Sequence, residues 1–116
     1  AEMKAEASIP IIASGRIEVD TADRTIGKGD ADFIAMGRKL LADPHLPNKL
    51  LRGETDRVRP CVYCYTCVSA IYGGQQSRCA VNAEFSVEFE RKAATAAKKN
   101  IVIVGGGPGG MEANVA

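Results

Sequence analysis

Four cysteines stand in the pattern C-x2-C-x2-C-x11-C, at Cys61, Cys64, Cys67 and Cys79, and the 116-residue chain has no others. No other feature restricts the fold as much. Three thiols so close in sequence can face one point only if the backbone curls around it. The fourth returns after a loop holding Gly73 and Gly74. Four thiolates about one centre form the ligand set of a [4Fe–4S] cluster or of an all-cysteine zinc site. Structural zinc sites usually pair two C-x2-4-C knuckles. Three clustered cysteines plus a distant fourth look more like an iron–sulfur arrangement. A disulfide pair is the bland alternative, but C-x2-C-x2-C crowds too many thiols for an ordinary disulfide framework. A zinc module that binds proteins, or a structural metal module without catalysis, stays open on spacing alone.

Bulk properties exclude some classes. Charge is nearly balanced, 15 basic against 14 acidic residues, so nothing electrostatic points to nucleic acid or an anionic membrane. Tryptophan is absent and aromatics make up 5% of the chain, which argues against a stacking surface for bases. No apolar run reaches the ~18 residues a membrane span needs. The opening AEMKAEASIP lacks the basic-then-apolar layout of a signal peptide. Reduced, metal-binding thiols fit a cytoplasmic compartment.

The chain reads as pieces of something larger. Residues 1–55 alternate helix and strand. AEMKAEA resembles the end of a helix, IPIIAS (9–14) a short strand, and VDTADRTIG (19–27) a helix with Asp20 or Thr21 as N-cap and Gly27 as C-cap. ADFIAM (31–36) is a second strand, and its nearly continuous apolar run suits a parallel sheet covered on both faces. LPNKLLRG (46–53) is helical after Asp43-Pro44. This rhythm is that of a parallel α/β fold. Residues 56–83 form the cysteine segment. Residues 84–100 form a linker, extended at 84–90 and then an exposed, basic connector over 91–99. Residues 101–104 form a buried strand, and Gly105, Gly107 and Gly110 make G-x-G-x-x-G directly after it, with a helix opening at Met111. That context turns a weak motif into the first turn of a dinucleotide-binding domain, where backbone N–H groups approach a pyrophosphate. A glycine turn without a ligand is the alternative.

Two strands end in Gly-Arg, at Gly15-Arg16 and Gly37-Arg38. Each pair alone reads as a strand terminus with a solvated arginine. Seen twice, after two buried strands, the pattern points to phosphate, because the last two strands of parallel α/β barrels commonly build such a site. His45, the lone histidine, reads as a surface or helix-capping residue rather than a catalytic one.

The segments IPIIASGRI, GDADFIAMGRKLLADPHLPNKL, RPCVYCYTC with CAVN, and IVIVGGGPGGMEA occur here in one order. In that order they resemble the iron–sulfur flavoproteins of the old yellow enzyme superfamily, which include 2,4-dienoyl-CoA reductase, 2-enoate reductases and trimethylamine dehydrogenase. The resemblance implies the last two βα units of an FMN-binding TIM barrel, then a [4Fe–4S] segment, then the start of a Rossmann-like FAD/NAD domain. It implies that Gly15, Arg16, Gly37 and Arg38 hold the FMN phosphate. Cys61, Cys64, Cys67 and Cys79 would ligate the cluster, and Gly105, Gly107 and Gly110 would face the FAD pyrophosphate. NAD(P)H would be the reductant and an activated C=C bond the acceptor. Amine dehydrogenase relatives instead pass electrons to a protein acceptor. Partners implied are thus a small-molecule substrate and, in that second case, an electron-transfer protein; oligomerisation is left open. The C-x2-C-x2-C spacing resembles the trimethylamine dehydrogenase type, the dienoyl-CoA reductase type having one more residue before the third cysteine, and one residue of spacing does not assign a substrate. Asn82-Ala83 stands where many relatives have Asn-Pro. The missing barrel strands and nucleotide domains lead to the expectation of a fragment without turnover of its own.

Overall fold

The computed structural model describes residues 2–90 and 100–115. A short helix α1 (Glu2–Glu6) leads into strand β1 (Ile12–Ser14), helix α2 (Val19–Gly27) and strand β2 (Phe33–Ala35). The strands pair in parallel, Ile12 opposite Phe33, Ala13 opposite Ile34 and Ser14 opposite Ala35. Both expected strands form, but each is three residues long, and neither is buried as expected: Ile12 is 64% and Phe33 58% exposed. The ladder starts late because the Ile11 N–H donates to the Asp32 carboxylate (2.7 Å), which also accepts from Lys4 Nζ (2.6 Å). Pro10, lacking an N–H, could not have extended it.

Helix α2 begins earlier than the expected caps allow. Its N-cap is Glu18, without a side-chain cap bond, and its C-cap is Lys28 rather than Gly27. The turn is closed by Gly29 at φ +72°. Helix α3 (Gly37–Ala42) starts directly at the second Gly-Arg pair, so Gly37 and Arg38 belong to a helix's first turn. Helix α4 (Leu46–Leu51) follows, two residues shorter at its end than the expected 46–53. Among the described residues the buried apolar set is Ala22, Ala31, Ala42 and Leu46, and it shares the interior with Lys39, Asp43 and Asn82. With so little apolar burial, polar side chains hold much of this region together.

Helix α5 (Thr66–Tyr72) leaves the cysteine knuckle. The extended stretch expected at 84–90 is not there. Asn82 accepts from the Glu84 N–H (3.2 Å) and the chain winds through turns into a 3-10 helix at Glu88–Glu90. An Asx-type bond of this kind competes with extended backbone, and among the described residues no strand lies alongside to reward extension. The expected connector 91–99 lies outside the described residues. Residues 101–104 are not a strand either: they have no ladder partner among the described residues, and Ile101, Val102 and Val104 are 78%, 85% and 95% exposed. Helix α6 (Pro108–Val115) begins three residues before Met111, with proline in its first turn, where its missing N–H costs nothing. No helix among the described residues is long and apolar enough to cross a membrane.

Candidate metal centre

The cysteine segment curls because two residues flanking Cys64 adopt left-handed backbone, Tyr63 at φ +53° and Tyr65 at φ +61°. Such conformations cost bulky residues roughly 1–3 kcal/mol each and persist where their surroundings over-determine them. Those surroundings are the strand ends. Ser14 and Ala35 lie opposite one another, so the turns that follow, Gly15-Arg16 and Gly37-Arg38, emerge side by side. Gly15 sits at φ +137°, a value that glycine tolerates and side chains rarely adopt. The Arg16 guanidinium lies 4.0 Å from the Tyr63 ring centroid, and that of Arg38 lies 5.1 Å from Tyr63 and 4.8 Å from Tyr65. Arg38 Nη1 is buried and has no hydrogen-bond partner.

The Tyr63 hydroxyl donates to Glu18 Oε1 (2.6 Å), and Lys39 Nζ donates to Glu18 Oε2. This explains the unfilled cap of α2: the Glu18 carboxylate is turned to the cysteine segment. Bonds from Lys39 and then Tyr63 hold that carboxyl below its ordinary value.

All four cysteines are free thiols. Together with Arg38, Leu41, Tyr63 and Tyr65 they line one cavity. Cys61, Cys67 and Cys79 are half-buried and Cys64 is exposed. Cys64 Sγ lies 3.2 Å from Thr66 Oγ1. That hydroxyl, helped by the Thr66 N–H, holds the thiol below its ordinary value and favours the thiolate, the form that binds metal. Ser77 Oγ donates to the Cys67 carbonyl (3.0 Å) and ties the returning loop to the knuckle. No three of the His, Cys, Asp and Glu side chains among the described residues converge tightly enough to hold a single metal ion.

Asp43 anchors the segment from below. It is 3% exposed and accepts from the His45 N–H (3.0 Å) at Oδ1, and from Lys49 Nζ (2.6 Å) and the Arg59 N–H (2.9 Å) at Oδ2. Burial pushes its carboxyl up, but Lys49 and the two N–H donors outweigh this and leave it below its ordinary value. Arg59 continues to Asn82 Oδ1 (3.0 Å), and Asn82 Nδ2 donates to the Leu41 carbonyl (2.8 Å). Thus both chain segments that flank the cysteines, before Cys61 and after Cys79, are tied to α3 and its C-terminal turn. The turn after Cys79 is held by Asn82. His45 is the N-cap residue of α4 but makes no side-chain cap bond, and its side chain is exposed.

The glycine turn divides its roles among its three residues. Gly105 is at φ +120°. A Cβ on Gly110 would stand 2.0 Å from the Gly105 carbonyl oxygen, so the helix can approach the turn this closely only without a side chain. Gly107 faces open space, leaving its backbone accessible. This is the division of labour that a pyrophosphate-binding turn requires.

The sequence reading singled out the cysteines, the Gly-Arg pairs and the glycine turn, and the structure brings the first two groups together at one end of the sheet. It did not single out Tyr63, Tyr65, Glu18, Lys39 or Asp43, and it marked Asn82 only for the alanine that follows it. The two tyrosines on either side of Cys64 were the one signal available. The others act through partners far along the chain and leave no local mark.

Residues 1–57 match the model of the NADH:flavin oxidoreductase / NADH oxidase family. The chain is 39% identical over 113 residues to a metal reductase of Desulforamulus reducens, covering 95% of this chain and 17% of that protein. It is 40% identical over 114 residues to a cinnamate reductase of Clostridium sporogenes, covering 96% of this chain and 17% of that protein. Histamine dehydrogenase from Rhizobium sp. 4-9, a solved structure, superimposes with a TM-score of 0.82 at 32% identity, over 96% of this chain and 18% of that one. The chain therefore spans under a fifth of the length of these relatives. The family match takes in β1, β2 and both Gly-Arg turns, and the longer similarities continue through the cysteines to the glycine turn; the chain belongs to the NADH:flavin oxidoreductase / NADH oxidase family of the old yellow enzyme superfamily.

Proposed function

We propose that this chain is the junction segment of an NAD(P)H-dependent oxidoreductase that carries FMN, FAD and a [4Fe–4S] cluster and reduces an activated C=C bond of an enoate or enoyl thioester. It comprises the last two βα units of an FMN-binding TIM barrel over residues 1–55, a cluster segment over 56–83, a linker over 84–100 and the start of an FAD/NAD(P) domain from residue 101. The observation that carries the reading is the common cavity. Four free thiols line it together with Arg38, whose buried Nη1 has no partner, at the end of the sheet where both Gly-Arg turns emerge.

The residues present fit the groups proposed. Cys61, Cys64, Cys67 and Cys79 would hold the cluster, and the Thr66 hydroxyl at Cys64 favours the ionised ligand. All four thiols line one cavity, as a group that takes all four as ligands requires. Arg16 and Arg38, with the Gly15 and Gly37 backbone, would bind the FMN phosphate, and an anion there would satisfy the orphaned Nη1. Gly105, Gly107 and Gly110 would admit the FAD pyrophosphate. When bound, flavins supply two-electron chemistry and a cluster supplies one-electron transfer. What this chain supplies is placement: one scaffold holds the thiol cavity against the phosphate turns. Thiols kept reduced imply a cytoplasmic setting.

A second reading is an amine dehydrogenase that passes electrons to a protein acceptor. The C-x2-C-x2-C spacing and the likeness to a histamine dehydrogenase favour it.

The test uses the full-length protein that carries this segment. Cys64→Ser, purified without oxygen, is expected to lose iron and acid-labile sulfide together. A variant that keeps both in full would overturn the cluster assignment, and zinc in place of iron would establish the metal module instead. Anaerobic assays with NADH and NADPH against cinnamate and enoyl thioesters, set beside amine oxidation, choose between the two directions.

A further inference from the structure

We propose that Tyr63 is a positioning residue for the phosphate-binding arginines: its ring sets where Arg16 and Arg38 point, so the cysteine loop and the flavin-phosphate turns assemble as one unit. This rests on the reading of Arg16 and Arg38 as FMN-phosphate ligands.

Tyr63 belongs to the cysteine loop, between Cys61 and Cys64, yet its contacts are with the strand ends. Arg16 stacks at 4.0 Å and Arg38 at 5.1 Å from its ring centroid, and Lys39 Nζ lies 5.4 Å away. Its hydroxyl reaches Glu18, 45 residues back in the chain. Arg16 is exposed, and besides a longer-range attraction to the Glu18 carboxylate its side chain has no hydrogen bond or ion pair among the described residues, so the ring is its nearest restraint. A free arginine side chain carries rotamer entropy that a ligand must otherwise overcome. A cation stacked on an aromatic face is held there even where it is exposed. The left-handed backbone of Tyr63 aims the ring there, and the Glu18 bond keeps it so. Arg38 is braced from both sides, by Tyr63 and by Tyr65, while its Nη1 stays without a partner. A guanidinium held still with a donor unspent is a preorganised anion contact.

The experiment strips flavin from the full-length protein and titrates the apoprotein with FMN, and separately with riboflavin, which lacks the phosphate. Iron and sulfide are measured on the same samples. Tyr63→Leu is expected to raise the FMN dissociation constant about tenfold, as the loss of two cation–ring contacts implies. Riboflavin affinity and iron content should not change. Tyr63→Phe keeps the ring and should stay within about threefold of the unsubstituted protein, as the ring and not the hydroxyl carries the stack. If Tyr63→Leu weakened riboflavin as much as FMN, or stripped the iron, Tyr63 would be a general strap and the proposal wrong. Unchanged FMN affinity with iron retained would also overturn it. Should Tyr63→Leu fail to fold, Tyr63→Met decides: it keeps an apolar side chain of similar length and removes the aromatic face on which the guanidinium groups stack. Weaker FMN binding with riboflavin unaffected supports the proposal, and equal affinity for FMN refutes it. If the unsubstituted protein binds no FMN, the flavin reading itself falls, and this inference with it.

Discussion

Asp43→Ala removes the one acceptor on which three donors converge. The carboxylate is 3% exposed and its ion-pair partner Lys49 is 22% exposed. Breaking a fully buried pair typically costs about 3–5 kcal/mol, because the remaining charge is left without compensation. Lys49 retains some access to water, which lowers that figure. The His45 and Arg59 N–H groups also lose their acceptor, at about 1–3 kcal/mol for each donor that stays dry. With water entering the space of the lost carboxyl, a net local cost of about 3 kcal/mol follows. At 1.4 kcal/mol per factor of ten, that is roughly a hundredfold rise in the opening of the chain around Arg59. Arg59 is two residues before Cys61, so this opening loosens the first of the four cysteines proposed to hold the cluster. The assay is amide hydrogen exchange by mass spectrometry on the full-length protein, read in peptides over residues 43–61, with iron release to a chelator followed in parallel. Exchange in those peptides within about threefold of the unsubstituted protein would refute the anchoring role, since threefold is well under 1 kcal/mol.

The same carboxylate carries a pH dependence of known sign. Its folded value lies below the unfolded one, so the stabilisation is present above the ordinary aspartate value near ~3.9 and is lost as pH falls through the folded value. Protection at residues 57–61 should therefore decay on acidification below about pH 4 in the unsubstituted protein, and the Asp43→Ala variant should show no such decay from this group.

The remaining predictions test the phosphate contacts proposed for the Gly-Arg turn at Gly37-Arg38 and for the glycine turn. Arg38→Ala should weaken FMN retention by about 1.5–3 kcal/mol, the worth of a charge-assisted bond, and equilibrium titration of the apoprotein measures it. Gly110→Ala drives a methyl to within 2.0 Å of the Gly105 carbonyl oxygen, so the turn must open; the full-length variant should lose bound FAD while keeping its iron, as analysis of extracted flavin and metal would show.

The local geometry of the candidate site was legible in the sequence because it rests on spacing that the chain carries locally. C-x2-C-x2-C predicts a curl around one centre, and the structure supplies that curl at Tyr63 and Tyr65. G-x-G-x-x-G after an apolar run predicts a tight turn with a close third glycine, and Gly105 and Gly110 meet in that way. Continuous apolar runs predicted two strands, and both formed. The errors have a common cause. Glu18 was not read as the start of α2, because its carboxylate is turned to Lys39 and Tyr63 rather than to its own helix. Residues 101–104 have strand composition and no strand, since a ladder needs a neighbour that composition cannot provide. Residues 84–90 follow the bond of one asparagine instead of their own propensity. Local spacing decides which residue types can reach a common ligand. Which of them meet is decided by parallel pairing, which sets Ser14 opposite Ala35 and so puts two arginines from separate turns beside the ring of a tyrosine in the cysteine loop.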